Sequence, residues 1–106
     1  MMKMPELLRA MNIPFAYDHF AQSEAVKPPF ITYLYPNTNH FVADGKNYFK
    51  KTRVSLELYT DLKDLAVERK VESVLDDASI VYAKSENWIS SEKLYEVLYE
   101  FEMKED

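Results

Sequence analysis

The sequence predicts a single α+β domain over residues 1–106: an antiparallel or mixed sheet of four to five strands with two helices packed on one face, in the order α-β-β-β-α-β-β. Two patterns and one composition carry this reading. Val67, Val71, Val74, Leu75 and Ala78 recur at helical spacing and make one apolar stripe. On either side of that segment, Val54, Leu56 and Leu58, and then Tyr95, Val97, Tyr99, Phe101 and Met103, alternate with polar or charged residues in the period of a strand. Strands with one apolar face need something to cover it, and an amphipathic helix does so. The chain has 106 residues, 47% hydrophobic and 29% charged. A domain of that size buries roughly 60–70% of the surface its unfolded chain exposes, enough for one core.

Each element has a local reason. Pro5 suits a first helical turn, and Leu7, Leu8 and Met11 follow at helical spacing until Asn12 and Pro14 end the pattern. A short strand is expected near Phe15 to His19, then a loop, because Pro28 and Pro29 forbid a regular element across their junction. Phe30 to Tyr35 is β-branched and aromatic and lies between Pro29 and Pro36, as a strand would. Residues 37–40 turn the chain. Phe41 and Val42 then lead to Asp44-Gly45, a pair that accepts positive φ at both centres of a tight hairpin. Val54 to Leu58 is the clearest strand. Asp61 and Asp64 both offer an N-cap for the following helix, whose Glu68, Arg69, Lys70, Glu72, Asp76 and Asp77 are expected on its wet side. Ile80 to Ala83 and Asn87 to Ile89 read as two short extended pieces, with Ser90-Ser91 turning into the last strand. That last segment also fits helical spacing through Leu94, Leu98 and Phe101, but its aromatic and β-branched content favours a strand.

The same composition removes most catalytic chemistry. One glycine cannot make a phosphate-binding loop or a dinucleotide fingerprint. With no cysteine there is no disulfide, thiolate metal site or thiol nucleophile, and two histidines do not by themselves complete a His-rich metal site. No cofactor is expected. A net charge of −5 argues against nucleic acid, whose phosphates call for clustered Lys and Arg; Lys50, Lys51 and Arg53 are the main local basic group. The first residues lack a signal-peptide core and nothing approaches the ~20 apolar residues of a membrane span, so a cytoplasmic chain without membrane contact is expected.

Candidate sites are few. Asp18, His19, Asn39, His40 and Asp44 have no spacing that fixes two metal ligands on one face, and they read better as polar loop residues. Glu96, Glu100 and Glu102 alternate with apolar residues, which suits a solvated strand face or protection of a sheet edge better than paired catalytic carboxylates. Ser90-Ser91 stands beside Glu92-Lys93 without a nearby histidine, and turn chemistry explains it. Eight tyrosines exceed what one small core usually holds, since each buried hydroxyl needs a partner. His40, Phe41, Tyr48 and Phe49 flank the Asp44-Gly45 hairpin, where large apolar groups suggest contact with another chain. Lys50 and Lys51 beside them are placed to pair with Glu96 and Glu100 on the acidic last strand of a neighbouring copy. These eight residues form the candidate protein interface.

The stretches Phe15-Ala-Tyr-Asp-His-Phe20, Pro29-Phe-Ile-Thr-Tyr-Leu-Tyr35, Phe41-Val-Ala-Asp-Gly-Lys-Asn-Tyr-Phe-Lys50, Leu56-Glu-Leu-Tyr-Thr-Asp61 and Glu92-Lys-Leu-Tyr-Glu-Val-Leu-Tyr-Glu100 together resemble a family of small phage and prophage proteins. These occur in long-tailed phages of Gram-positive bacteria, among the head–tail joining and tail genes. The resemblance implies a virion structural protein, a tail terminator or tail-completion protein, present in the host cytoplasm during assembly and then in the tail or neck of the particle. It implies an α-β-β-β-α-β arrangement and a hexameric ring that caps the tail tube and meets the head connector. The implied partners are therefore further copies of the chain, the tail tube protein and a head–tail connector protein, with no enzymatic activity. The extra extended segment around Trp88 and the strand at Phe15 depart from the simplest arrangement. The rival reading is a small cytoplasmic binding or inhibitory module acting on a host protein.

Overall fold

The computed structural model describes residues 3–21, 26–36 and 51–104. The expected α+β architecture is present: a mixed five-stranded sheet with two helices packed on it. Helix α1 spans Met4–Met11, with a proline in its first turn. It stops at Asn12, which adopts a left-handed conformation (φ 57°) and donates its N–H to the Arg9 carbonyl. Asn accepts that conformation better than most residues because its short polar side chain bonds locally. Strand β1 (Phe15–Tyr17) runs parallel to β2 (Phe30–Leu34), while β2 pairs antiparallel with β3 (Lys51–Thr60). After helix α2 (Leu65–Asp77), β4 (Tyr82–Ile89) and β5 (Leu94–Lys104) form a hairpin whose second strand inserts against β3. The sheet order is β1-β2-β3-β5-β4.

The core lies between the helices and one sheet face. Leu7, Leu8 and Met11 of α1 and Val71 and Leu75 of α2 are buried with Ile31, Val54, Leu56, Leu58, Val97, Tyr99 and Phe101. Strand register lines these up: Ile31 is opposite Leu58, which is opposite Val97, and Leu56 is opposite Tyr99. Each fully buried aliphatic side chain contributes about 1.5–3 kcal/mol relative to exposure. Asp64, rather than Asp61, caps α2, its Oδ1 accepting the Val67 N–H at 3.2 Å.

Three expectations change. The two short pieces at 80–83 and 87–89 are one strand, β4, paired with β5 from Tyr82–Phe101 to Ile89–Leu94. Its start shifts past Val81, which is 89% exposed. β4 lacks apolar alternation because it is an edge strand exposed along most of its length. Second, Glu68 is buried, not on the wet side of α2. Third, β5 lies between β3 and β4, so its glutamates do not protect an edge. The Asp44-Gly45 hairpin lies outside the described residues.

Candidate functional site

Two polar arrangements flank the sheet, one under α2 and one on the face that no described helix covers. Beneath α2, Glu68 and Glu72 project from the helix toward Lys84 of β4. Lys84 Nζ lies 2.8 Å from Glu68 and 2.7 Å from Glu72. Lys63, just before the helix, pairs with Glu68 at 2.9 Å and with Glu86 of β4. Two tyrosines of β5 complete the cluster: Tyr99 donates to Glu72 at 2.7 Å and Tyr95 donates to Glu86 at 3.1 Å. Burial opposes charge on Lys84, yet Glu68 and Glu72 outweigh it and raise its pKa. Burial likewise opposes charge on Glu72, but Lys84 and the Tyr99 hydroxyl hold its pKa below the usual carboxylate value. Burial, reinforced by Glu72, pushes the Tyr99 hydroxyl well up. Two lysines are shared among three carboxylates here, and the cluster straps α2 to the β4–β5 hairpin.

The opposite face is built by the alternate residues of the same strands. Phe30, Thr32 and Leu34 of β2 stand beside Arg53, Ser55, Glu57 and Tyr59 of β3, then Leu94, Glu96, Leu98 and Glu100 of β5. Phe30 stacks on Tyr59 with centroids 5.0 Å apart, and Phe20 meets Phe30 edge-on at 5.5 Å. Thr32 Oγ1 donates to Glu57 at 2.9 Å, and the Tyr59 hydroxyl donates to Glu96 at 3.0 Å. Burial raises the Glu57 pKa, and the neighbouring Glu96 carboxylate adds to that. Burial, with Glu57 and Glu96, also pushes the Tyr59 hydroxyl up. At one end Phe20, Phe30, Thr32, Tyr59 and Leu94 line an open depression of about 270 Å³, with Asp18 and His19 also on its wall. The face thus carries half-buried aromatic and aliphatic groups at one end and carboxylates along its middle, an arrangement suited to binding another macromolecule.

Of the candidate interface, the structure places Glu96 and Glu100 on this open face, both on β5. Lys51 begins β3 opposite Lys104. His40, Phe41, Tyr48, Phe49 and Lys50 lie outside the described residues. Asp18 and His19 form a surface pair, 2.8 Å apart, and no group of metal-binding side chains occurs among the described residues. The tyrosine excess is partly spent inside the fold, since Tyr59, Tyr95 and Tyr99 each donate to a carboxylate. Sequence reading missed the Lys63–Glu68–Lys84–Glu72 cluster, because the period of α2 does not show that β4 lies beside this flank of the helix; the one available signal was a glutamate at 68 one position from the apolar Val67. No family model matches the chain, and no curated protein is similar to it.

Proposed function

We propose that the protein is a phage or prophage virion structural subunit of the tail-terminator or tail-completion type. On this reading copies of the chain form a ring at the head-proximal end of the tail tube and join it to the head connector. The observation that supports it is the open sheet face. Phe30, Leu34, Tyr59, Leu94 and Leu98 are half-buried there, beside Glu57, Glu96 and Glu100, with no described helix above them. A subunit that works by contact needs such a surface, and it needs no catalytic constellation. The order α-β-β-β-α-β-β contains the α-β-β-β-α-β arrangement that the family resemblance implies, with one strand more.

The test adds purified chain to tubes assembled from the tail tube protein of the same genome. Negative-stain images are expected to show a collar at one tube end and arrested elongation. Tubes that keep growing without a collar overturn the reading, and capture of one host protein by a stable complex favours the inhibitory module instead.

A further inference from the structure

β4 is a sheet edge eight residues long, and among the described residues nothing pairs with its outer side. An unpaired edge offers a row of backbone donors and acceptors to any strand that fits. Its side chains decide which strand that is. Tyr82, Lys84, Glu86 and Trp88 point to the helix-covered side, opposite Phe101, Tyr99, Val97 and Tyr95 of β5. Ala83, Ser85, Asn87 and Ile89 point to the open side. Lys84 and Glu86 stand symmetrically about Ser85, and so do Tyr82 and Trp88.

We propose that β4 pairs with β4 of a second copy, antiparallel about a two-fold axis through Ser85, so that one sheet runs through both chains. In this register Lys84 of each copy, held within its own chain by Glu68 and Glu72, lies opposite Glu86 of the other, held by Lys63, so opposite charges face each other across the seam. Tyr82 lies opposite Trp88 of the second copy, covering an indole that is 47% exposed in the single chain. Ala83 lies opposite Asn87, and the two Ser85 side chains meet at the axis.

Neighbouring registers fail on charge or on backbone geometry. An axis through Lys84 sets two ammonium groups opposite each other, and an axis through Glu86 sets two carboxylates opposite each other; like charges directly across a ladder repel. An axis between two residues puts a residue whose backbone groups face outward against one whose groups face inward, and no ladder forms. The charges on β4 therefore disfavour the adjacent registers, and axes through Ala83 or Asn87 pair fewer residues of the strand. Such a contact is isologous and joins two copies only, whereas a ring needs head-to-tail contacts. The pairing is thus a property of the free chain that does not depend on the ring.

The chain has no cysteine, so a single introduced thiol reports on one register. Opposed residues in an antiparallel pair have Cα atoms about 4.5–5.5 Å apart, within disulfide range. Ser85→Cys is therefore expected to form a covalent dimer with oxidised glutathione. Ala83→Cys alone and Asn87→Cys alone should not, because like residues are displaced by about 13 Å along the strand; mixed together, those two variants should cross-link. Sedimentation of the unmodified chain should give twice the 12.5 kDa chain mass. Ser85→Lys and Ser85→Asp should each weaken the dimer about tenfold with unchanged circular dichroism, and an equimolar mixture should restore it. A monomeric mass at high micromolar concentration, or Ala83→Cys cross-linking to itself as fast as Ser85→Cys, overturns the proposal. A collar on tail tubes formed by a chain that never gives the Ser85 cross-link overturns the pairing while leaving the ring intact.

Discussion

Glu68 shows how much one side chain can do in a small core. It sits on α2 one position from the apolar Val67 and is 2% exposed, yet it meets Lys63 and Lys84 together. Hydrogen bonds to charged groups contribute about 1.5–3 kcal/mol when buried, so Glu68→Gln should lower unfolding free energy by about that amount in urea titrations. Glu72 gives a pH signature. Its pKa is depressed in the folded chain, so its contribution is full above the unfolded carboxylate value and is lost as pH falls through the lower folded value. Thermal melts should show Glu72→Gln less stable than the unmodified chain at neutral pH, with the gap closing on acidification into and below the carboxylate range. Glu57 works in the opposite sense. Burial raises its pKa, so its charge costs stability at neutral pH; that cost shrinks as pH falls through the folded value and is gone below the unfolded one. Glu57→Gln keeps an acceptor for the Thr32 hydroxyl. It should stabilise the chain at neutral pH by a few tenths of a kcal/mol, because the site is partly solvated, with no gain at low pH.

At the scale of elements, caps and periodicity did most of the specifying. Asp64 holds the first turn of α2 through the Val67 N–H. Asp64→Ala should therefore cost about 1 kcal/mol, the usual value of a lost N-cap, measured by urea denaturation. α1, β2, β3, α2 and β5 were legible because each buries one face and so carries a 3.6 or 2.0 period. β4 was not legible as one strand. Its side chains are exposed on both faces, so no apolar alternation marks it, and its pairing with β5 is what holds it extended. Glu68 was misplaced for a related reason: a period assigns a residue to a helix face, but whether that flank is wet depends on what β4 brings beneath it.

At the scale of the molecule, the sheet has one side packed under the two helices and another that no described helix covers. If the open face meets a neighbouring copy through charge, reversing Glu96 and Glu100 to lysine should reduce collar formation on tail tubes without altering the far-ultraviolet spectrum. Reversing Lys50 and Lys51 to glutamate should do the same, and combining both sets should recover part of it. Collars that form equally well with all of these variants exclude that charge pairing. The candidate site was legible only in part. That Glu96 and Glu100 share a strand face follows from their even spacing, but that Tyr59 would reach Glu96, or that Phe30 would stack on Tyr59, depends on which strands are neighbours.

The sequence by itself determined the α+β class, the existence of both helices, the strands with one buried face and the poverty of catalytic groups, because these follow from local conformational preference, side-chain period and composition. Only the tertiary structure decided the strand order, the parallel β1–β2 pair, the insertion of β5 between β3 and β4, and the burial of Glu68. Period says which way a side chain points, and the pairing of distant strands says what it finds there.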